Sequence, residues 1–148
     1  MTLTDQVVGT WQLVSFTAEN TEHPGITYPF GPDATGIIMY TADGYMSAQI
    51  MRQGRSDYDP LDRDGGNREQ AAAAAGYLAY SGPYSVDETT RTLHHEVEVS
   101  LLPTWQNTVL IRQATLEGNQ LTLAAEDTLP SGTLRSTIVW KRAAPPLA

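Results

Sequence analysis

Residues 93–105 read Leu-His-His-Glu-Val-Glu-Val-Ser-Leu-Leu-Pro-Thr-Trp, and they hold two of the chain's three histidines. In an extended strand successive side chains point to opposite faces. Leu93, His95, Val97 and Val99 would then share one side, and His94, Glu96, Glu98 and Ser100 the other. The two histidines therefore cannot serve one ion or one substrate together. The run of His94, Glu96 and Glu98 reads as a solvated outer face, so no metal site is expected. His95, among apolar neighbours, reads as the inward one. An imidazole with an ordinary pKa of about 6.5 suits proton transfer near neutral pH. A hydrogen-bonded core histidine is the plainer alternative.

Turn geometry supplies the neighbours. A two-residue Gly118-Asn119 turn pairs Glu117 with Gln120, and hence Leu116 with Leu121 and Ala114 with Leu123. These partners are apolar, which makes their face the interior and places Arg112 on it. Centring the preceding hairpin between Pro103 and Thr104 sets Val97 against Leu110 and His95 against Arg112. A four-residue loop around Glu88-Thr89 sets Tyr84 against Leu93 and Tyr80 against Val97. A guanidinium in apolar surroundings costs several kcal/mol unless a partner offsets it. Glu126, Asp127 or an anionic or enolic ligand could do so, or Arg112 could bridge strands or reach the rim. As catalytic candidates, His95 would move a proton and Arg112 would stabilise an oxyanion. Tyr80 and Tyr84 could orient a carbonyl, with Val97 and Leu110 lining the hollow. The turn Thr-Ala-Asp-Gly, read as pairing Tyr40 with Tyr45, sends Ile37, Met39, Met46, Ala48 and Ile50 inward. Trp105 would either close a rim or pack.

Eight strand-like runs carry these residues, near 8–17, 35–41, 44–51, 78–86, 92–101, 107–116, 120–126 and 133–141. Several connections are short, and sequential hairpins without a leftover edge predict an all-β, up-and-down antiparallel barrel. Two Pro/Gly-rich loops, 18–34 and 52–66, interrupt the meander. The second runs into Asn67-Arg-Glu-Gln and five alanines before Gly76, which predicts a short helix. That helix would cap one barrel end, as a fixed plug or as a lid. The domain would span 1–142, with 143–148 a disordered tail.

Composition narrows the function. The chain has 148 residues, a formal charge of −8 and no cysteine. Disulfides, thiolate nucleophiles and cysteine-held zinc are excluded. Nine scattered cations offer nucleic acid no patch. No apolar run approaches the roughly 20 residues of a membrane helix, and the start lacks a signal-peptide pattern. A cytoplasmic protein without membrane contact is expected. No phosphate loop, dinucleotide fingerprint or nucleophile elbow occurs, so no cofactor is expected.

Gly9-Thr10-Trp11 resembles the G-x-W signature of lipocalins. The wider set of G-T-W-Q-L-V-S-F, Y-T-A-D-G-Y-M-S-A-Q, A-Y-S-G-P-Y, H-H-E-V-E-V-S and P-T-W is similar to the lipocalin-like domain family of small bacterial and fungal proteins. The resemblance covers about residues 7–142. It implies a calyx-shaped barrel in which a basic residue of Trp140-Lys141-Arg142 packs on Trp11. It also implies a small hydrophobic or polyketide-like ligand, and either of two functions. One is a cofactor-free biosynthetic enzyme of isomerase or cyclase type (or a lyase or hydrolase) acting on a small apolar, oxygenated metabolite. The other is a non-catalytic carrier of such a molecule. A tyrosine-rich outer face leaves open whether two barrels pair as a homodimer.

Overall fold

Strands alternating apolar and polar residues bury one face only, and a sheet of them closes on itself when both edge strands find each other. The computed structural model, which describes residues 1–56 and 67–146, does this. Its barrel strands are β1 (Gly9–Asn20), β3 (Thr35–Tyr40), β4 (Tyr45–Met51), β5 (Tyr77–Asp87), β6 (Thr92–Glu96), β8 (Val109–Glu117), β9 (Gln120–Leu129) and β10 (Gly132–Arg142). Each pairs antiparallel with the next, and β10 returns to β1 from Trp11↔Arg142 to Asn20↔Leu134. Two short strands, β2 (Ile26–Thr27) and β7 (Val99–Ser100), add to β1 and β5. The all-β, up-and-down barrel read from the sequence is the fold found.

One end is closed by a helix that the sequence reading did not contain. Helix α1 (Leu3–Val7) starts at a capping box between Thr2 and Asp5 and buries Leu3 and Val7. The Glu88 carboxylate, from the β5–β6 turn, accepts the backbone N–H groups of Leu3 and Thr4 at 3.0 and 2.9 Å. An anion at a helix N-terminus meets unpaired N–H groups and the positive end of the dipole. These bonds hold the Glu88 carboxyl below its usual range. Beneath α1, the Trp11 indole N–H donates to Val7 O at 2.9 Å. The Arg142 guanidinium stacks 4.2 Å from the Trp11 ring and donates to the Gln6 and Val8 carbonyls. The helix expected near 67–76 does form, as α2 (Asn67–Ala75), at the opposite end between β4 and β5. Residues 57–66 of the expected loop and 147–148 of the expected tail lie outside the described residues. Ala143, the first tail residue, donates its N–H to Thr10 O at 2.9 Å.

Two local devices set which side chains face inward. Thr41 and Tyr45 pair through a three-residue loop ending in Gly44, whose φ is +99°. The odd loop length gives Tyr40↔Met46 in place of Tyr40↔Tyr45. A one-residue slip reverses every side chain of a strand. Ile38 and Tyr40 are therefore the buried residues of β3, whereas Ile37 and Met39, expected inside, are outside at 43% and 44% exposure. Met46, Ala48 and Ile50 are buried as expected.

The second device is a bulge between β6 and β7. Tyr84 pairs with His95, yet Ser81 pairs with Val99, so the β6–β7 side carries one extra residue. Tyr84 donates its N–H to Gly44 on the β4 side, and Ser81 accepts from Glu98 on the other. Pro83, which has no N–H, thus stands where β6 would need a donor. The displaced backbone fills the space above Gly82, where a Cβ would lie 1.8 Å from Glu96 O. Past the bulge Val97 is buried and Val99 faces out, a correction to the simple alternation.

Gly82→Ala should cost on the order of 1–3 kcal/mol by urea denaturation, because the obstructing atom is backbone and cannot rotate away. Polar substitution separates the two methionines. Met46→Gln should cost about 2 kcal/mol or more and Met39→Gln less than about 0.5 kcal/mol in the same measurement.

Candidate functional site

His95 is the one buried polar residue among the described residues, with no exposure. Its inward position on β6 places it opposite Tyr84 on β5 and Leu110 on β8. Both ring nitrogens are engaged. The Tyr40 hydroxyl lies 2.8 Å from Nε2 and the Tyr80 hydroxyl 2.8 Å from Nδ1. Tyr40 comes from β3 and Tyr80 from β5, with β4 between them contributing the small Ala48 opposite both Ile38 and Tyr80. The imidazole thus joins three strands across the barrel interior.

Burial decides the ionisation of this array. Desolvation, reinforced by the charge of Arg112 and then of His94, lowers the His95 pKa from 6.5 to about 3. Desolvation raises Tyr80 to about 12, with Arg112 opposing the rise. Tyr40 is pushed well above its ordinary value, again chiefly by burial. All three groups are neutral at physiological pH.

Arg112 is on the interior face, as expected, but its register differs. It pairs with Leu93, while His95 faces Leu110, so the guanidinium stands diagonal to the imidazole. In both hairpins that flank β6 the partners differ from the expected register by two residues, which preserves the face and shifts the neighbours. Arg112 is half-buried and donates one N–H to Ile111 O at 3.1 Å. Its expected carboxylate partners are not engaged with it. Glu126 pairs with Arg135 at 3.0 Å, the one ion pair among the described residues. The Coulombic influence of Arg112 reaches Tyr40, Tyr80 and His95 alike.

The interior is packed unevenly. Leu93, Val97, Ala114, Leu121 and Leu123 are buried around the array. Toward the mouth, the inward positions Leu110, Arg112, Ala125, Leu134, Ser136 and Ile138 of β8–β10 are only half-buried. Inward side chains of a closed barrel keep contact with water only where the packing leaves room. Trp105, on a short 3-10 turn (Pro103–Trp105), stands edge-on to Tyr80 with ring centroids 5.6 Å apart. It packs against the core while remaining half-exposed.

Other candidates fall elsewhere. Tyr84 donates its hydroxyl to Thr41 O at 2.8 Å, toward the closed end, and meets Tyr40 edge-on at 4.9 Å. Met46 is buried in that lower layer. Met39 lies in a concavity of about 470 Å³ on the outer face of β1, β3 and β4, together with Gln12, Ile37, Gln49, Tyr77 and Lys141. Tyr40 was the residue missed; its signal was Gly44, whose positive φ suits the last position of a three-residue loop rather than the four-residue Thr-Ala-Asp-Gly connection. Among the described residues no group of His, Asp and Glu could hold a metal, and no helix is long and apolar enough to cross a membrane.

A family model described as a lipocalin-like domain matches residues 8–143. The chain belongs to the lipocalin-like domain family. A relative from Aspergillus oryzae carries the name 4'-hydroxy-3'-methoxypropiophenone carrier protein ppsC. It is 34% identical over 106 residues, covering 66% of this chain and 96% of that protein. Among solved structures, the lipoprotein YedD from Klebsiella pneumoniae aligns over 95% of this chain and 74% of its own, at 13% identity and a TM-score of 0.44. The lipocalin-like signature is met in the Arg142 guanidinium stacked on Trp11.

His95 generates a pH dependence with a definite sign. Its folded pKa is depressed, so between about 6.5 and about 3 the unfolded chain binds a proton that the folded chain refuses. Stability is full above about pH 6.5 and falls as the pH drops, by up to about 1.4 kcal/mol per pH unit. Above pH 5 the carboxylates contribute little. Denaturation at pH 7 and pH 5 should show this loss, and His95→Gln should remove it. NMR of the intact chain should find the His95 ring neutral at pH 5.

Proposed function

We propose that this barrel binds, without turning over, a small apolar molecule bearing an oxygen function in the mouth bounded by β8, β9 and β10. The observation that carries the reading is the half-buried inward wall of Leu110, Ala125, Leu134 and Ile138 around Arg112. An apolar recess with few convergent polar groups is how proteins hold small organic ligands. Arg112 would meet the ligand's oxygen, Trp105 would cover its ring, and Tyr80, Val97 and Leu110 would form the floor. The carrier name of the Aspergillus oryzae relative supports carriage of an aryl ketone or similar compound.

The catalytic reading, an isomerase or cyclase with His95 as acid or base, rests on the closeness of His95 and Arg112. Its chemistry is less favourable. An efficient general base has a pKa near the working pH, and the His95 pKa is about 3 with both nitrogens already bonded. A buried, neutral, doubly bonded imidazole suits holding a shape.

Calorimetry with 4'-hydroxy-3'-methoxypropiophenone should detect one-to-one binding. The compound should return unchanged from prolonged incubation, as read by mass spectrometry. Ser136→Phe, which fills the mouth, should weaken binding at least about tenfold in a chain that stays folded by circular dichroism. Conversion of the compound would establish the enzyme instead, and undiminished binding by Ser136→Phe would move the ligand out of the barrel.

A further inference from the structure

The hydrogens of the buried array do not balance. A neutral imidazole has one N–H and one bare nitrogen, and each tyrosine has one O–H. The bare nitrogen takes one hydroxyl proton, and the N–H points to the other tyrosine's oxygen. One hydroxyl proton is left over in either tautomer. Two neighbours decide which. Tyr40 lies deep, 1% exposed, with His95 as its one hydrogen-bond partner among the described residues. If its proton did not go to Nε2 it would be a buried donor with nothing to bond, a costly state. Tyr80 lies nearer the mouth, beside Trp105, on the interior face that Arg112 shares. A proton left over there can meet whatever enters.

We propose that Tyr40 holds His95 as the Nδ1–H tautomer, so that the free Tyr80 hydroxyl and the Arg112 guanidinium form a paired donor for a ligand's carbonyl or oxyanion oxygen. The proposal rests on the binding function above and specifies its chemistry. Arg112 carries only donors, and one of them bonds Ile111 O. Tyr80, accepting from Nδ1–H, becomes a stronger donor through cooperativity. The surplus elsewhere in the barrel has the same sign: Trp140 Nε1 is the one buried side-chain polar atom without a partner among the described residues, and it too is a donor. On this lining a ketone, an enolate or a phenolate is matched. An amine or ammonium group, which would bring another donor toward a guanidinium, is not.

Tyr40 and His95 are positioning residues in this scheme, since neither touches the ligand. Losing Tyr40 would leave Nε2 bare unless the ring switched to Nε2–H. Tyr80 would then donate to Nδ1 and be withdrawn from the ligand.

The test compares propiophenone with propylbenzene, which has the same chain and ring but no oxygen, by calorimetry on the full chain. Nitrogen-15 NMR reads the His95 tautomer in parallel. The wild-type chain should prefer the ketone by about tenfold, the worth of one good hydrogen bond, and His95 should be protonated at Nδ1. Tyr80→Phe and Arg112→Met should each reduce the preference toward unity while propylbenzene still binds. Tyr40→Phe should do the same and move the proton to Nε2, an effect that a merely structural tyrosine would not produce. Equal binding of the two probes by the wild-type chain, or an Nε2–H ring in it, overturns the donor pair and leaves the binding function standing. Binding of neither probe overturns both.

Discussion

A fully buried imidazole must have both nitrogens satisfied, and that requirement constrains the whole barrel. Tyr40, Tyr80 and His95 come from three strands, and their hydroxyls reach the ring only in the observed register. Shift β3 by one residue and Met39 replaces Tyr40, leaving Nε2 with an apolar neighbour. Remove the β6–β7 bulge and the strand beyond Glu96 would present its other face. The odd-length turn at Gly44, the missing donor of Pro83 and the bare Cα of Gly82 therefore serve one end: they deliver three polar side chains to one point inside an apolar core.

The two ends of the barrel are built on opposite principles. The closed end is held by charge-assisted bonds to main-chain groups: Glu88 on the α1 N–H groups, Arg142 on the carbonyls that follow them, and Trp11 between. At the mouth the β8–β10 wall is only half-buried, and the nearest charge, Arg112, has no carboxylate opposite it among the described residues. The binding site proposed at the mouth would draw on this asymmetry, because rigidity at one end sets the geometry that the other end presents.

The ionisation of the array is what the proposed carrier function rests on, in preference to the catalytic reading. Proton transfer at neutral pH asks for a group that can change its charge there, and burial has removed that ability from His95, Tyr40 and Tyr80 together. What remains is a set of fixed dipoles beside one guanidinium, suited to recognising an oxygen atom. The Aspergillus oryzae relative is itself named as a carrier.

The periodicity of the chain alone determined that it is an all-β barrel, that eight runs supply its strands, and that His95 and Arg112 face inward while His94, Glu96 and Glu98 do not. Those properties depend on the parity of alternation, and the two-residue errors in the hairpins flanking β6 leave parity intact. Local composition likewise located α2. Only the tertiary structure decided what depends on absolute register or on contacts far apart in sequence. The Gly44 turn exchanged Met39 for Tyr40, and the bulge opposite Pro83 turned Val99 outward. A five-residue helix such as α1, too short to be stable alone, exists because Glu88, 85 residues from Leu3, accepts its N-terminal donors. Parity is written into each strand by itself, whereas register is settled by which distant strand must be satisfied.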